Sequence, residues 1–184
     1  PRIRFDVVIN MLCGLAITSN QVTLNSNGKA WRPHLHIEDA CQSFKRCLDW
    51  NPNAGELIIL NVGQNDDNYQ VIDIANIIHT NVVSSKLNYL NQGEIIGGGE
   101  LVKDRKILHG VDTRSYKVLF DKIEQTLPDF KCKWTVESGI KNLLDEFKEI
   151  GLSKDTFNKR EFYRLQQIEF LHKTHQIDDN LMWN

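Results

Sequence analysis

The sequence lacks a large excess of charge of either sign. Its 184 residues carry 22 lysines and arginines against 24 aspartates and glutamates, a formal net charge of -2, and the two signs are mixed along the chain. Binding to a nucleic-acid backbone relies on a clustered positive charge that neutralises phosphates. The sequence therefore argues against nucleic acid as a partner. With 41% hydrophobic and 25% charged residues, it has the composition of an ordinary globular protein.

Long apolar runs, glycosylation sequons and paired cysteines are also missing. The longest apolar run, residues 7–17, is interrupted by Asn10 and is too short to cross a bilayer. No Asn-x-Ser/Thr sequon occurs. No CxxC pair occurs among the four cysteines, which are Cys13, Cys41, Cys47 and Cys132. We expect them to be buried, reduced thiols, and we predict a cytoplasmic protein without a membrane segment.

The motifs of several enzyme classes are absent. The run 97–100 (GGGE) fits neither the GxxxxGK[ST] nor the GxGxxG phosphate loop, and no serine lies in a GxSxG turn. His34 and His36 share one face of an extended segment, but no third ligand stands at a zinc-site spacing. We expect no metal site, with one of these histidines lining a pocket and the other packed.

Helices and strands are predicted to alternate in the first half of the chain. Pattern and turn signals indicate a helix over 5–17, strands over 21–24 and 33–37, a helix over 38–48, a buried strand over 57–62, a helix over 69–82 and a strand over 86–90. In the helix over 38–48, the apolar stripe is Ala40, Cys41, Phe44, Cys47 and Leu48. This order is typical of the α/β class.

The second half is predicted to begin with an exposed loop or hairpin over 91–110. A strand over 116–120, a short helix capped by Asp121, and a helix from Thr135 to Gly151 follow. A last amphipathic helix is expected over 158–175.

Three polar residues stand out from this pattern: Asn10 inside an apolar helix, Arg32 and Arg114. Two guanidinium groups suit a diphosphate, because each can form paired, charge-assisted hydrogen bonds to phosphate oxygens. Surface ion pairs, for instance Arg114 with Asp112, explain the same residues equally well. The residues alone leave both interpretations open.

Five segments, in order, resemble the C-terminal half of the extended short-chain dehydrogenases/reductases, the NAD-dependent nucleotide-sugar epimerases and dehydratases. They read RFDVVINMLCGLA, GKAWRPHLHIEDACQSF, LNVGQNDDNYQVIDIANII, DTRSYKVLFDKI and WTVESGIKNLLDEF. The resemblance implies four units: a substrate-domain helix and strands (1–37), the returning helix and strand of an incomplete Rossmann sheet (38–63), a substrate-binding part (64–152) and a helical tail (153–184).

The resemblance also implies site residues that bind a nucleotide-diphosphate sugar. Asn10 and Arg32 match positions that hold the diphosphate, and Arg114 lies near a second phosphate-binding position. Leu24, with Val22 beside it, falls where a strand covers the nucleotide base. His34 stands where many epimerases have a tyrosine, and Pro33 replaces an aspartate.

The family's NAD-binding loop and its Tyr-x-x-x-Lys pair do not occur in this sequence. The resemblance places both upstream, so we expect that the start of the protein is missing. We expect this piece, alone, to be inactive and to carry no catalytic or cofactor-binding residue. It should also expose the apolar faces of 38–48 and 57–62. The complete protein is expected to be a homodimer that uses NAD. A non-catalytic binding or sensor protein and a freestanding α/β domain remain as alternatives.

Overall fold

The computed structural model describes residues 3–24, 26–50, 55, 57–89 and 114–184. Its helices are α1 (Val8–Ser19), α2 (Ile37–Asp49), α3 (Val71–Asn81), α4 (Asp121–Thr126), α5 (Val136–Glu149), α6 (Lys154–Phe157) and α7 (Arg164–Lys173). Its strands are β1 (Gln21–Leu24), β2 (Trp31–Pro33), β3 (Asn68–Gln70) and β4 (Lys86–Tyr89). β1 pairs with β4 in parallel and β2 pairs with β3 antiparallel. The predicted α/β class is confirmed, and the predicted loop over 91–110 lies outside the described residues.

The main core lies where α1 packs against α3 and α5, with β1 beside α1 and α3. Its centre is Phe5, whose ring lies 4.7 to 6.2 Å from four other aromatic rings, those of Phe147, Phe157, Phe162 and Tyr163. The Phe157 ring sits directly against Gly14 of α1, where a Cβ atom would overlap it. The aromatic cluster therefore joins the chain segment before α1 to the C-terminal helices.

The helix ends follow local sequence rules. The Thr135 hydroxyl accepts a hydrogen bond from the Ser138 backbone N–H at the start of α5, and Gly151 after the helix has a φ of 60°. Both features confirm the predicted start and end of this helix. Asp121 was expected to cap α4, but Phe120 occupies the cap position and the carboxyl of Asp121 accepts a hydrogen bond from Asn65 at 2.6 Å.

The predicted single helix over 158–175 is wrong, because these residues do not form one continuous helix. A one-turn 3₁₀ segment at Arg160–Phe162 separates α6 from α7. The Phe162 carbonyl accepts a hydrogen bond from the Phe5 N–H at 3.0 Å, and Tyr163 is extended and buried. Packing on the aromatic cluster thus outweighs the helical pattern.

Two predicted strands are not formed among the described residues. Residues 116–120 run beside β3 without a ladder and are held by side chains instead: Asn68 bonds both backbone polar groups of Val118, and the Asn65 side chain accepts from the Phe120 N–H. Residues 57–62 pair with no strand, and they alternate between exposed and half-buried positions. The exposure of Leu57 (86%) and Ile59 (76%) is what was expected of this piece alone, whereas the strand itself is not formed.

Helix α2 turns its polar face inward and its apolar face outward. Asp39 and Ser43 are its buried residues, at 1% and 3% exposure. We call its exposed apolar residues the α2 stripe: Ile37, Cys41, Phe44 and Leu48. The outward apolar faces expected from the sequence are therefore present. The expectation of buried cysteines is wrong for Cys41 and Cys47, which this orientation exposes, whereas Cys13 is buried; all four thiols are free.

The carboxyl group of Asp39 explains this orientation. Its two oxygens accept hydrogen bonds from the backbone N–H groups of Lys133 (2.9 Å) and Trp134 (3.1 Å), in the segment that leads into α5. Glu38 accepts from the Trp134 indole at 2.9 Å, and His36 stacks on the same indole at 4.1 Å. These contacts use the side of α2 that carries its acidic residues, so the apolar side is left facing away.

None of the helices in the described ranges combines the length and apolar character that a membrane span requires.

We expect Asp39→Ala to destabilise the complete protein that carries these residues by about 3 kcal/mol, because two backbone donors lose their acceptors in a part-buried place. Asp49→Ala, which removes an exposed carboxyl from the same helix, should change the free energy of unfolding by less than about 0.5 kcal/mol. Urea unfolding followed by circular dichroism measures both. Equal effects of the two substitutions would contradict the role given to Asp39.

Candidate functional site

The candidate site is built around Arg32, at the centre of β2. Its guanidinium donates hydrogen bonds to the backbone carbonyls of Trp31 and Arg114, at 2.7 and 2.5 Å. The Arg32 guanidinium also lies over the Tyr116 ring, 5.1 Å from its centre. The segment 114–117 is held beside β2 by hydrogen bonds between Trp31 and Ser115 (3.1 Å) and between Tyr116 and Trp31 (3.3 Å). Arg32 is thus positioned by the neighbouring chain as well as by its own strand.

A first cleft of about 160 Å³ opens beside Arg32. Its apolar walls come from α1, β1 and the first residue of α3, and Leu24 is one of them. Its polar residues are Thr23, Ser26 and Arg32. The cleft therefore combines apolar walls with a cation, which suits a ligand that has an apolar part and an anionic group.

A second cleft of about 270 Å³ lies at Pro33, the last residue of β2. His34 lines it together with Asn61 and Phe120. The Nε2 atom of His34 is buried and has no hydrogen-bond partner among the residues that the structure describes. Burial, with a smaller contribution from the charge of Arg32, lowers the pKa of His34 to about 4. His34 is therefore a neutral imidazole at physiological pH.

The structure brings some of the predicted site residues together and separates others. Leu24 and Arg32 line the first cleft, and Arg114 reaches Arg32 through its backbone carbonyl. His34 lines the second cleft while His36 packs on Trp134, as expected for one pocket histidine and one packed histidine. The proposed ion-pair partner of Arg114, Asp112, lies outside the described residues.

Asn10 lies in the first turn of α1 and lines neither cleft. Its side-chain nitrogen donates to the Arg4 carbonyl at 2.8 Å. One of its two N–H bonds is thus used to fix the segment that carries Phe5, and the amide still has a second N–H to offer. The polar residue inside the apolar helix therefore has a structural partner.

Sequence reasoning missed three residues at this site. Tyr116 supports the Arg32 guanidinium, Lys117 lies 3.6 Å from the centre of the Trp31 ring, and Thr23 is among the residues that line the first cleft. The pairing of Arg32 with Tyr116 joins residues 84 positions apart, so no local pattern could have found it. Thr23 could have been noticed as the one polar residue in the buried part of β1.

The described residues do not fit a dinucleotide cofactor. Such a site needs a strand that leads through a glycine-rich turn into a helix. Within the described ranges, β1 leads to another strand, the connection from β2 to α2 has no glycine, and β3 runs directly into α3. No group of three metal-ligating side chains is present in this part of the chain either.

Comparisons with known proteins place this geometry in a context. No family model matches the sequence, and a search of curated proteins finds no match. Solved structures do match. An NAD-dependent NDP-hexosamine 5,6-dehydratase of tunicamycin biosynthesis has a TM-score of 0.62 and 13% identity over 81% of this chain and 42% of that chain. The dTDP-glucose 4,6-dehydratase of Bacillus anthracis, in complex with NAD, has a TM-score of 0.58 and 17% identity over 89% of this chain and 43% of that chain.

The UDP-glucuronic acid 4-epimerase of Bacillus cereus, in complex with UDP-glucuronic acid and NAD, has a TM-score of 0.59 and 18% identity over 82% of this chain and 42% of that chain. The chain has the fold of one part of the extended short-chain dehydrogenases/reductases. The fold resemblance stated from the sequence is thereby confirmed. This extended-dehydrogenase fold is covered only in part, because the chain spans about two fifths of the length of these three proteins.

We expect His34 to titrate near pH 4 in the native protein instead of near its usual 6.5, because protonation would place an unpaired charge in a buried position beside Arg32. Between these values the unfolded chain binds the extra proton, so this group makes the free energy of unfolding fall as the pH is lowered from 6.5 towards 4. His34→Gln should remove that part of the pH dependence. NMR of the imidazole Cε1 proton gives the midpoint, and a midpoint above pH 6 would contradict the burial of His34.

Proposed function

We propose that this chain is the nucleotide-sugar-binding part of an NAD-dependent nucleotide-sugar epimerase or dehydratase. One observation carries the proposal: Arg32 and Leu24, which the sequence resemblance assigns to phosphate and base, line one cleft in a chain with this fold. Their position on one cleft supports the proposal, because a nucleotide sugar needs its phosphate ligand and its base-covering surface close together. The fold resemblance supports the class of ligand, since some of the similar structures were solved with UDP-sugars.

In this proposal each residue has a distinct part in binding. Arg32, oriented by Tyr116 and by two backbone carbonyls, places a guanidinium charge at the first cleft, where it would attract the diphosphate. Arg114, on the adjacent exposed segment, supplies a second cation. Leu24 covers one face of the nucleotide base. The assignment of Asn10 to the diphosphate rests on the sequence resemblance alone, since Asn10 lines neither cleft.

His34 takes a supporting part. It is too strongly buried to be charged at neutral pH, so it adds no Coulomb attraction for phosphate. A neutral imidazole can still donate or accept one hydrogen bond in the second cleft, where its Nε2 atom has no partner among the described residues. We assign it to a neutral hydroxyl of the ligand instead of to the diphosphate.

The reaction itself is assigned to residues outside these 184. NAD, bound by those residues, would accept and return a hydride of the sugar. The described residues offer no dinucleotide site, and the sequence has no Tyr-x-x-x-Lys pair. The α2 stripe and the exposed side chains of Leu57 and Ile59 are the surfaces that we assign to contact with the NAD-binding part. The role of this chain is to hold the sugar nucleotide in place for that step.

We expect Arg32→Ala, in the complete protein, to weaken UDP or dTDP binding about 30-fold, equivalent to about 2 kcal/mol, because a charge-assisted hydrogen bond to phosphate is lost. The affinity for NAD should be unchanged. Arg164→Ala is the matched control, since it removes an exposed guanidinium from α7. Isothermal titration calorimetry with each ligand provides the measurement.

Arg32→Lys separates charge from geometry, because lysine keeps the charge but lacks the planar fork. We expect it to recover only part of the lost affinity. If Arg32→Ala and Arg164→Ala bind UDP and dTDP equally well, the assignment of Arg32 to phosphate is wrong. A parallel loss of NAD affinity in Arg32→Ala would indicate misfolding instead of a lost ligand contact.

A further inference from the structure

Two asparagine side chains hold the segment 114–120 beside β3. The amide of Asn68 accepts a hydrogen bond from the Val118 N–H at 2.9 Å and donates one to the Val118 carbonyl at 3.0 Å. Its nitrogen also donates to the Asn65 carbonyl at 2.9 Å. The Asn65 side chain in turn accepts from the Phe120 N–H at 2.9 Å. Asn68 therefore makes three hydrogen bonds, and two of them go to one residue of the segment.

This pair of bonds requires an amide side chain. A strand that paired with Val118 would offer it one N–H and one carbonyl, and asparagine carries both groups on neighbouring atoms. Pro33, the residue of β2 opposite Asn68, has no N–H to offer. Aspartate would keep the acceptor and lose both donors. The amide of Asn68 thus does for Val118 what a neighbouring strand would otherwise do.

The segment that Asn68 holds is the one that orients Arg32. The Arg32 guanidinium donates to the Arg114 carbonyl and lies over the Tyr116 ring, so it contacts two residues of this segment. Trp31 of β2 makes two further hydrogen bonds to the same part of the segment, at 3.1 and 3.3 Å. The bonds from Asn68 are shorter and lie two residues further along the chain than Tyr116.

The main core does not depend on this segment. Among the described residues, none of the apolar side chains of that core comes from 114–120. The end of the segment at Phe120 is held by packing in a smaller apolar cluster, whereas its start at Arg114 is exposed. Loss of the Asn68 amide should therefore loosen the first part of the segment and leave the main core packed.

We propose that Asn68 is a positioning residue for phosphate binding: its two bonds to Val118 hold the segment 114–117 against β2, and that segment holds the Arg32 guanidinium at the first cleft. This inference rests on the proposed function, to which it adds a residue that touches no ligand. Asn68 lines neither cleft, so it acts through Arg32 and, to a smaller extent, through Arg114. Without the amide, the ligand itself would have to order these side chains, and that cost lowers affinity.

Substitutions of Asn68 in the complete protein test the proposal. We expect Asn68→Ala to weaken the binding of UDP and of dTDP about tenfold, because Arg32 is no longer held in place before the ligand arrives. Asn68→Asp keeps the size of the side chain but loses both donors, and it should weaken binding at least as much. The affinity for NAD should be unchanged in both. Asn76→Ala is the matched control: it removes an exposed amide from α3 and should bind within about twofold of the wild type. Isothermal titration calorimetry gives these affinities.

Two further measurements separate positioning from a general loss of stability. In the Arg32→Ala background, Asn68→Ala should reduce UDP affinity by less than about threefold more, because substitutions that act through the same group are not additive. Hydrogen exchange followed by mass spectrometry should find faster exchange in the peptide 114–120 of ligand-free Asn68→Ala. Helices α1 and α5 of the main core should stay as protected as in the wild type.

The outcomes separate this inference from the function on which it rests. If the wild type binds UDP and dTDP and Asn68→Ala binds them equally well, the positioning role is wrong and the proposed function stands. A further loss of about tenfold in the Arg32→Ala background would show that Asn68 does not act through Arg32, and the inference fails. It also fails if α1 and α5 lose protection in Asn68→Ala, because the amide is then structural. If the wild type binds neither nucleotide, the proposed function fails and this inference fails with it.

Discussion

The arrangement of this chain depends on the two hydrogen bonds that the carboxyl group of Asp39 accepts. By accepting hydrogen bonds from two successive backbone N–H groups, of Lys133 and Trp134, it attaches α2 to the segment that leads into α5. The attachment uses the polar side of α2, and the α2 stripe consequently faces outward, with Phe44 71% and Leu48 86% exposed. A contiguous apolar stripe of this kind is typical of a surface that another element covers.

The contact between α2 and the segment around Trp134 lies close to the candidate site along the chain. His36, which stacks on Trp134, is only four residues from Arg32, and the short stretch between them carries His34 into the second cleft. The positions of α2 and β2 are therefore coupled, because only the short segment 34–36 separates the two elements. On the other side of β2, Arg32 is held by the segment 114–117. In the proposed function, a side chain that is already held from both directions would lose little conformational entropy on binding a phosphate group.

Much of the fold follows from local signals in the sequence. α5 was predicted because its N-cap, apolar stripe and terminal glycine agree. α1 was predicted from a nearly continuous apolar run, α3 from apolar periodicity, and β1 and β4 as short strand candidates. The strands over 57–62 and 116–120 were wrong for a shared reason: a strand exists only with a partner, and the side chains of Asn65 and Asn68 take that part for 116–120. The outward apolar face of α2 was expected, but the contact that fixes it could not be predicted, because it depends on backbone donors more than ninety residues away in the chain.

Of the proposed site, the residue pattern alone singled out Asn10, Arg32 and Arg114, and the resemblance supplied their roles. Arg32 and Leu24 were named from matched segments, and the structure adds the cleft that they share. Tyr116 carries no sequence signal of function, because its contact with Arg32 joins distant segments of the chain. The central claim, that this chain binds the nucleotide sugar while a separate part covers the α2 stripe, is tested most directly by the thiol of Cys41, which lies within that stripe. In the complete native protein, alkylation followed by peptide mass spectrometry should find Cys41 protected until urea unfolds it, whereas labelling at the rate of an unfolded thiol would show that nothing covers the stripe and would contradict the account.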